Sequence, residues 1–245
     1  MVEVNAPEES TPGFVREVGS ECRRAVRTTP QRWLVAITLL LGLLAAVAVA
    51  ATAQPSDRTL ATLSVPVQSL MSVTVPFIGI LLVTDLRRAR RRTAIAPTWT
   101  AAIVVAVVIA LFGVVVCVLA LDVTPQAAPG RWDHAAAIVV GGVLVQCLAE
   151  LVGTGLGLLI RSPWIAFLAS IVLPLGLWFA LGAAGIIRPA QAWLTPYASL
   201  GKLLSGQMVP LDWAQWLVVL MIWGVGLNVV GARRVRRPTN RGQGS

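Results

Sequence analysis

Glu150 is the one charged residue inside the long apolar runs of this 245-residue chain, and it has polar company. Gln146 and Thr154 stand four residues to either side, so at helical spacing the three stack on one helix face. Such a stripe could clamp neighbouring helices through hydrogen bonds, or it could move a proton or contact a cargo. No arginine or lysine lies at a similar depth in the chain. Glu150 is therefore expected to be protonated, or hydrogen-bonded to Gln146, Asn228 or a hydroxyl. A second chemical feature is a cation run, Asp85-Leu-Arg-Arg-Ala-Arg-Arg-Arg-Thr93, closed by Pro97 and Trp99. Its five arginines can hold one end of a membrane helix on one side, or dock on a partner.

Other chemistry is missing from the pattern. A phosphate-cradling loop needs G-x-x-x-x-G-K-[ST], and the surroundings of the single lysine, Lys202, do not supply it. There is no Ser/His/Asp grouping and no cluster of carboxylates. His134 is the only histidine and has no cysteine nearby, which argues against a metal site. Cys22, Cys117 and Cys147 fit neither a metal spacing nor a redox pair, and read as small apolar fillers. The sequence thus predicts no catalytic residue, cofactor or metal of the chain's own.

The elements that must position these residues are membrane spans. The chain is 56% hydrophobic and 13% charged, with a mean hydropathy of +0.78. Apolar runs at 33–53, 60–84, 99–121, 135–160, 164–187 and 213–232 each have the roughly 20 residues that cross a hydrocarbon core. Threading back and forth puts sixteen arginines on one side, at 16, 23, 24, 27, 32, 87, 88, 90–92, 161, 233, 234, 236, 237 and 241. The other side receives Arg58, Arg131, Arg188 and Lys202. By the positive-inside rule both termini are expected in the cytoplasm. A net charge of +9 arranged in this way points to topology and anionic lipid headgroups, not to nucleic acid. The bias of nineteen arginines to one lysine suggests a GC-rich bacterial genome, hence a bacterial inner membrane.

Residues 1–11 and 238–245 read as tails. Between 12 and 29, Phe14, Val15, Val18, Cys22, Ala25 and Val26 recur at helical spacing opposite basic residues, which predicts an amphipathic helix in the membrane interface. Residues 30–237 form the six-span domain. Pro66 and Pro76 should kink span two. The segment 188–212 is half apolar but broken by Pro189, Pro196, Gly206 and Pro210, which predicts short helices dipping into the outer leaflet. Gly141-Gly142, Gly153-x-Gly155-x-Gly157 and Gly224-x-Gly226 mark close packing, more simply within one chain than across a dimer. No internal repeat is evident. The expected fold class is an all-α integral membrane protein with six spans.

In layout, residues 12–237 resemble the membrane subunit of type-2 ABC exporters, the ABC-2 permease family. Three phrases carry the resemblance: Gly153-Thr-Gly-Leu-Gly-Leu-Leu-Ile-Arg-Ser-Pro163, Trp193-Leu-Thr-Pro-Tyr-Ala-Ser-Leu-Gly-Lys-Leu-Leu-Ser-Gly206, and the apolar-then-basic stretch Leu217–Arg237. The resemblance implies pairing with a second permease copy or homologue, and separate ATPase subunits that bind ATP and magnesium. It makes Asp85, Arg87, Arg88, Arg90, Arg91, Arg92 and Thr93 the coupling element, with Arg161 a lesser contact. Spans two and five would flank the pathway. Polar residues of spans two, four and five are then the pathway candidates: Gln68, Ser72, Thr74, Gln146, Glu150 and Ser170. Two other readings stay open: an ATP-independent transporter that uses Glu150, and a scaffold whose basic loops recruit a cytoplasmic protein.

Overall fold

The computed structural model describes residues 11–25, 29–88, 95–124, 128–183 and 189–236. Among these the regular structure is entirely helical. Helix α1 spans Thr11–Ala25, α2 Thr29–Thr52, α3 Leu60–Arg88, α4 Ile95–Asp122, α5 Ala135–Leu159 and α6 Pro163–Ala183. Two short helices follow, α7 Gln191–Leu194 and α8 Pro196–Ser205. Then α9 (Pro210–Val219) passes through a π-helical stretch, Leu220–Gly226, into α10 (Leu227–Arg236). Six helical stretches are long and apolar enough to cross a membrane, the last being Pro210–Val235. The chain is a multi-pass membrane protein.

The expected spans match these helices, with instructive differences at the ends. Pro30 falls in the first turn of α2, where a proline costs no hydrogen bond, so it opens that helix. Helix α3 runs on through the first charges to Arg88, so Asp85 and Arg87 belong to a helix and not to a loop. Residues 89–94, with Arg90, Arg91, Arg92 and Thr93, lie outside the described residues. The predicted pair of short helices before the last span is present as α7 and α8, and α8 stops at Gly206 with φ 73°. A left-handed C-cap of this kind favours glycine.

Helix α5 is the centre of the bundle. It touches α3, α4, α6, α8, α10 and the π-helical stretch. Glycines allow that proximity. A Cβ on Gly153 would lie 2.6 Å from the Pro76 Cα of α3, and one on Gly157 would lie 3.1 Å from the Ile80 Cα. Gly155 faces α10 instead, at Leu227 and Asn228. The expected GxxxG seam therefore joins two helices of one chain. Two apolar cores flank α5. One gathers Leu63, Met71, Ile109, Cys117 and Ile138; the other gathers Val152, Leu204, Trp216 and Trp223. Outward faces such as Ile37, Leu44 and Val47 of α2, or Ile165, Leu168 and Val172 of α6, remain exposed, as helices solvated by lipid require.

The helix ends sort by side. Asp85 accepts a hydrogen bond from the Gln31 amide at 3.1 Å, joining the start of α2 to the end of α3. Arg87 and Arg234 both reach the C-terminus of α5. Helix α1 packs at the same end, with Cys22 against Leu82 and Ala101. At the other end the Leu60 amide bonds the Arg131 carbonyl, and Gly206 abuts His134.

Candidate functional site

The polar stripe of α5 forms a ladder to three helices. The Gln146 amide donates to both the backbone carbonyl and the side-chain oxygen of Gln68 on α3, each at 2.9 Å. Gln68 in turn donates to the Ala110 carbonyl of α4 at 2.9 Å. One turn below Glu150, the Thr154 hydroxyl meets the Asn228 side-chain oxygen at 2.9 Å. The Asn228 amide donates to Leu151 and Gly224 carbonyls, both at 2.7 Å. The second bond sits where the π-helical stretch gives way to α10, so the side chain satisfies a carbonyl at an irregular helix junction.

Glu150 lies between these two knots and joins neither. Its carboxyl is wholly buried against Gly79 of α3; the Gly79 backbone is its polar neighbour, and among the described residues neither oxygen has a side-chain hydrogen-bond partner. The expected partners Gln146 and Asn228 flank it but spend their donors elsewhere. A buried carboxyl with no side-chain partner is costly.

A second polar region faces outward between α3, α6 and α8. Two adjoining lobes of about 70 and 130 Å³ share Ser72, Pro76, Ser170, Tyr197 and Leu200 as walls. Pro174 and Trp216 complete the smaller lobe. Among the described residues no charged side chain lines either one. Both are smaller than the roughly 300–1,000 Å³ that encloses a drug-sized ligand, so this conformation holds a small group or one end of a larger molecule.

The two cleft serines share a local device. Ser72-x-x-x-Pro76 and Ser170-x-x-x-Pro174 put a proline four residues after each serine. Proline has no N–H, so neither serine carbonyl receives its usual helical hydrogen bond. Each hydroxyl donates to its own helix, Ser72 to the Ser69 carbonyl and Ser170 to the Phe167 carbonyl, both at 2.7 Å. Their lone pairs are left for a ligand. The Tyr197 phenol adds one hydroxyl, and burial pushes it above the ordinary tyrosine range, so it stays neutral. The cleft therefore offers mostly acceptors in an apolar wall.

The six pathway candidates thus divide. Ser72 and Ser170 meet in the cleft. Gln68 and Gln146 belong to the buried ladder behind it, and Glu150 is buried beside them without joining it. Thr74 turns to α2, its hydroxyl 2.8 Å from that of Thr38. Sequence reasoning did not include Tyr197, Trp216 and Pro174 among the candidates, although the repeated Ser-x-x-x-Pro spacing was a signal available for the last. Of the residues expected to form a coupling element, Asp85 bonds Gln31 and Arg87 caps α5. Arg161 is exposed in the turn between α5 and α6, and Arg88 ends α3.

Comparison with known protein families, curated proteins and solved structures returns no match.

Proposed function

We propose that the chain is the permease subunit of an ATP-driven exporter of the ABC-2 kind in a bacterial inner membrane. Two copies, or one copy and a homologue, pair in this reading, and separate ATPase subunits bind at the arginine-rich end. Both termini and α1 then face the cytoplasm, with α1 in the interface. The observation that carries the reading is the cleft between α3 and α6. It is walled by two helices that each carry an internal proline, Pro76 in α3 and Pro174 in α6, and a proline inside a membrane helix frees a backbone carbonyl that can face a cavity. Its walls are apolar with uncharged acceptors, which suits a small amphipathic, lipid, peptide or drug-like cargo that brings a hydrogen-bond donor.

Arg87 caps α5, so a docking test must leave it intact. The full chain is purified from its native membrane in mild detergent, with ATPase activity and mass spectrometry on the eluate. A P-loop ATPase should co-purify, and R88A/R90A/R91A/R92A should lose it. A chain that elutes alone, without ATPase activity, overturns the reading.

Glu150, buried without a side-chain partner among the described residues, favours one second reading, a transporter that needs no ATPase. There, Glu150→Gln abolishes cargo movement in vesicles while movement continues after ATP depletion. Under the exporter reading, ATP depletion alone stops it.

A further inference from the structure

We propose that Arg87, Arg161 and Arg234 together bind the phosphate headgroup of an anionic phospholipid. The three come from different elements: the end of α3, the turn between α5 and α6, and the end of α10. They converge on the C-terminus of α5. The Arg87 Nη1 donates to the Gly157 carbonyl at 2.8 Å and the Ile160 carbonyl at 3.2 Å. Arg234 reaches the Leu159 carbonyl at 3.4 Å. Arg161 and Arg234 both lie close enough to act on the charge of Arg87.

The charge there is not balanced by the described residues. A helix C-terminus supplies about half a negative charge against three positive ones. Among the described residues no carboxylate lies within ion-pairing distance of the three; the one such pair, Lys202–Asp212, belongs to other elements, α8 and α9. Asp85 is two residues from Arg87 but accepts from Gln31 on α2. Capacity for an anion also remains. Each guanidinium carries five N–H groups; Arg87 and Arg234 engage one nitrogen apiece in these bonds, and the exposed Arg161 side chain engages none among the described residues. Guanidinium forks match phosphate oxygens in geometry as well as charge.

The setting selects a lipid over a soluble anion. Trp164 follows Arg161 by three residues and is 68% exposed, as a side chain at headgroup level would be. From it the exposed face Ile165, Leu168 and Val172 of α6 runs into the apolar zone, ready for an acyl chain. Basic sites between helix ends at a membrane surface are suited to anionic headgroups. This inference does not depend on the transport reading, since it concerns only the helix ends.

Native mass spectrometry of the full chain tests it, with phosphatidylglycerol and phosphatidylcholine supplied as competing probes. Wild type should retain phosphatidylglycerol preferentially. R161Q should bind it about fivefold more weakly and R161Q/R234Q about thirtyfold, at the usual contribution per arginine near a membrane surface. R131Q, at the opposite end, should match wild type. The exposed Arg161 side chain makes no hydrogen bond or ion pair among the described residues, so the R161Q result stands even if the double variant unfolds. Unchanged phosphatidylglycerol retention in R161Q overturns the proposal. So does displacement of the lipid by millimolar inorganic phosphate, which would assign the site to a soluble anion. Loss of a co-purifying protein from R161Q with lipid retention intact overturns it too, in favour of an acidic partner surface.

Discussion

Close backbone approach is a matter of single atoms, and α5 carries the clearest case. Gly153 sits on Pro76 so tightly that an added methyl would overlap the Pro76 carbonyl oxygen and lie 2.6 Å from its Cα. Both neighbours are backbone, so no side chain can rotate away. Gly153→Ala must push α3 and α5 apart, at a cost of about 1–3 kcal/mol. Gly176 in α6 is the contrast, since a Cβ there meets nothing within 4 Å. Gly176→Ala should be neutral, or stabilising by up to about 1 kcal/mol from helix propensity alone. Thermal unfolding of both variants in one mild detergent makes the comparison. Equal midpoints for the two would mean that α3 and α5 are not packed backbone to backbone.

Helix irregularity sets the next scale, because Pro76, Pro174 and the π-helical stretch all border one cleft or its walls. Pro76 cannot be replaced cleanly, as Gly153 packs on it. Pro174 can. Pro174→Ala restores a donor for the Ser170 carbonyl and so removes one liberated acceptor. Stability should hold or rise, by at most about 3 kcal/mol, while cargo transport in proteoliposomes falls. Transport unchanged in a stable Pro174→Ala protein would separate the cleft from the pathway. The six spans themselves were legible in the sequence, because apolar run length is a one-dimensional property. Their ends were less so. Hydropathy stops at the first charge, yet helical hydrogen bonding carried α3 to Arg88, where Arg87 gained the carbonyls of α5. The ladder was half legible: Gln146, Glu150 and Thr154 share a face by spacing alone. That Gln146 chooses Gln68, 78 positions away, depends on which helices become neighbours. The π-helical stretch left no mark beyond Gly224 and Gly226, which looked like packing points.

Across the whole molecule, charge and architecture give a consistent polarity. Arg87, Arg161 and Arg234 gather at one end with α1, while Arg58, Arg131 and Lys202 belong to segments at the other. The alternation of six helices enforces this division whichever way the bundle faces. Orientation is then an electrostatic question, and sixteen arginines against four basic residues favour the arginine-rich end inside. Single-cysteine labelling decides it. In a background of C22A/C117A/C147A, Thr29→Cys and Ser56→Cys place exposed thiols at opposite ends. A membrane-impermeant maleimide should label Ser56→Cys in intact cells, and Thr29→Cys only after the cells are opened. The reverse pattern would put Asp85 and the arginine run outside the cell, beyond the reach of any ATPase that uses cytoplasmic ATP. The exporter reading would fall with it, whereas the anionic lipid site would only change leaflets.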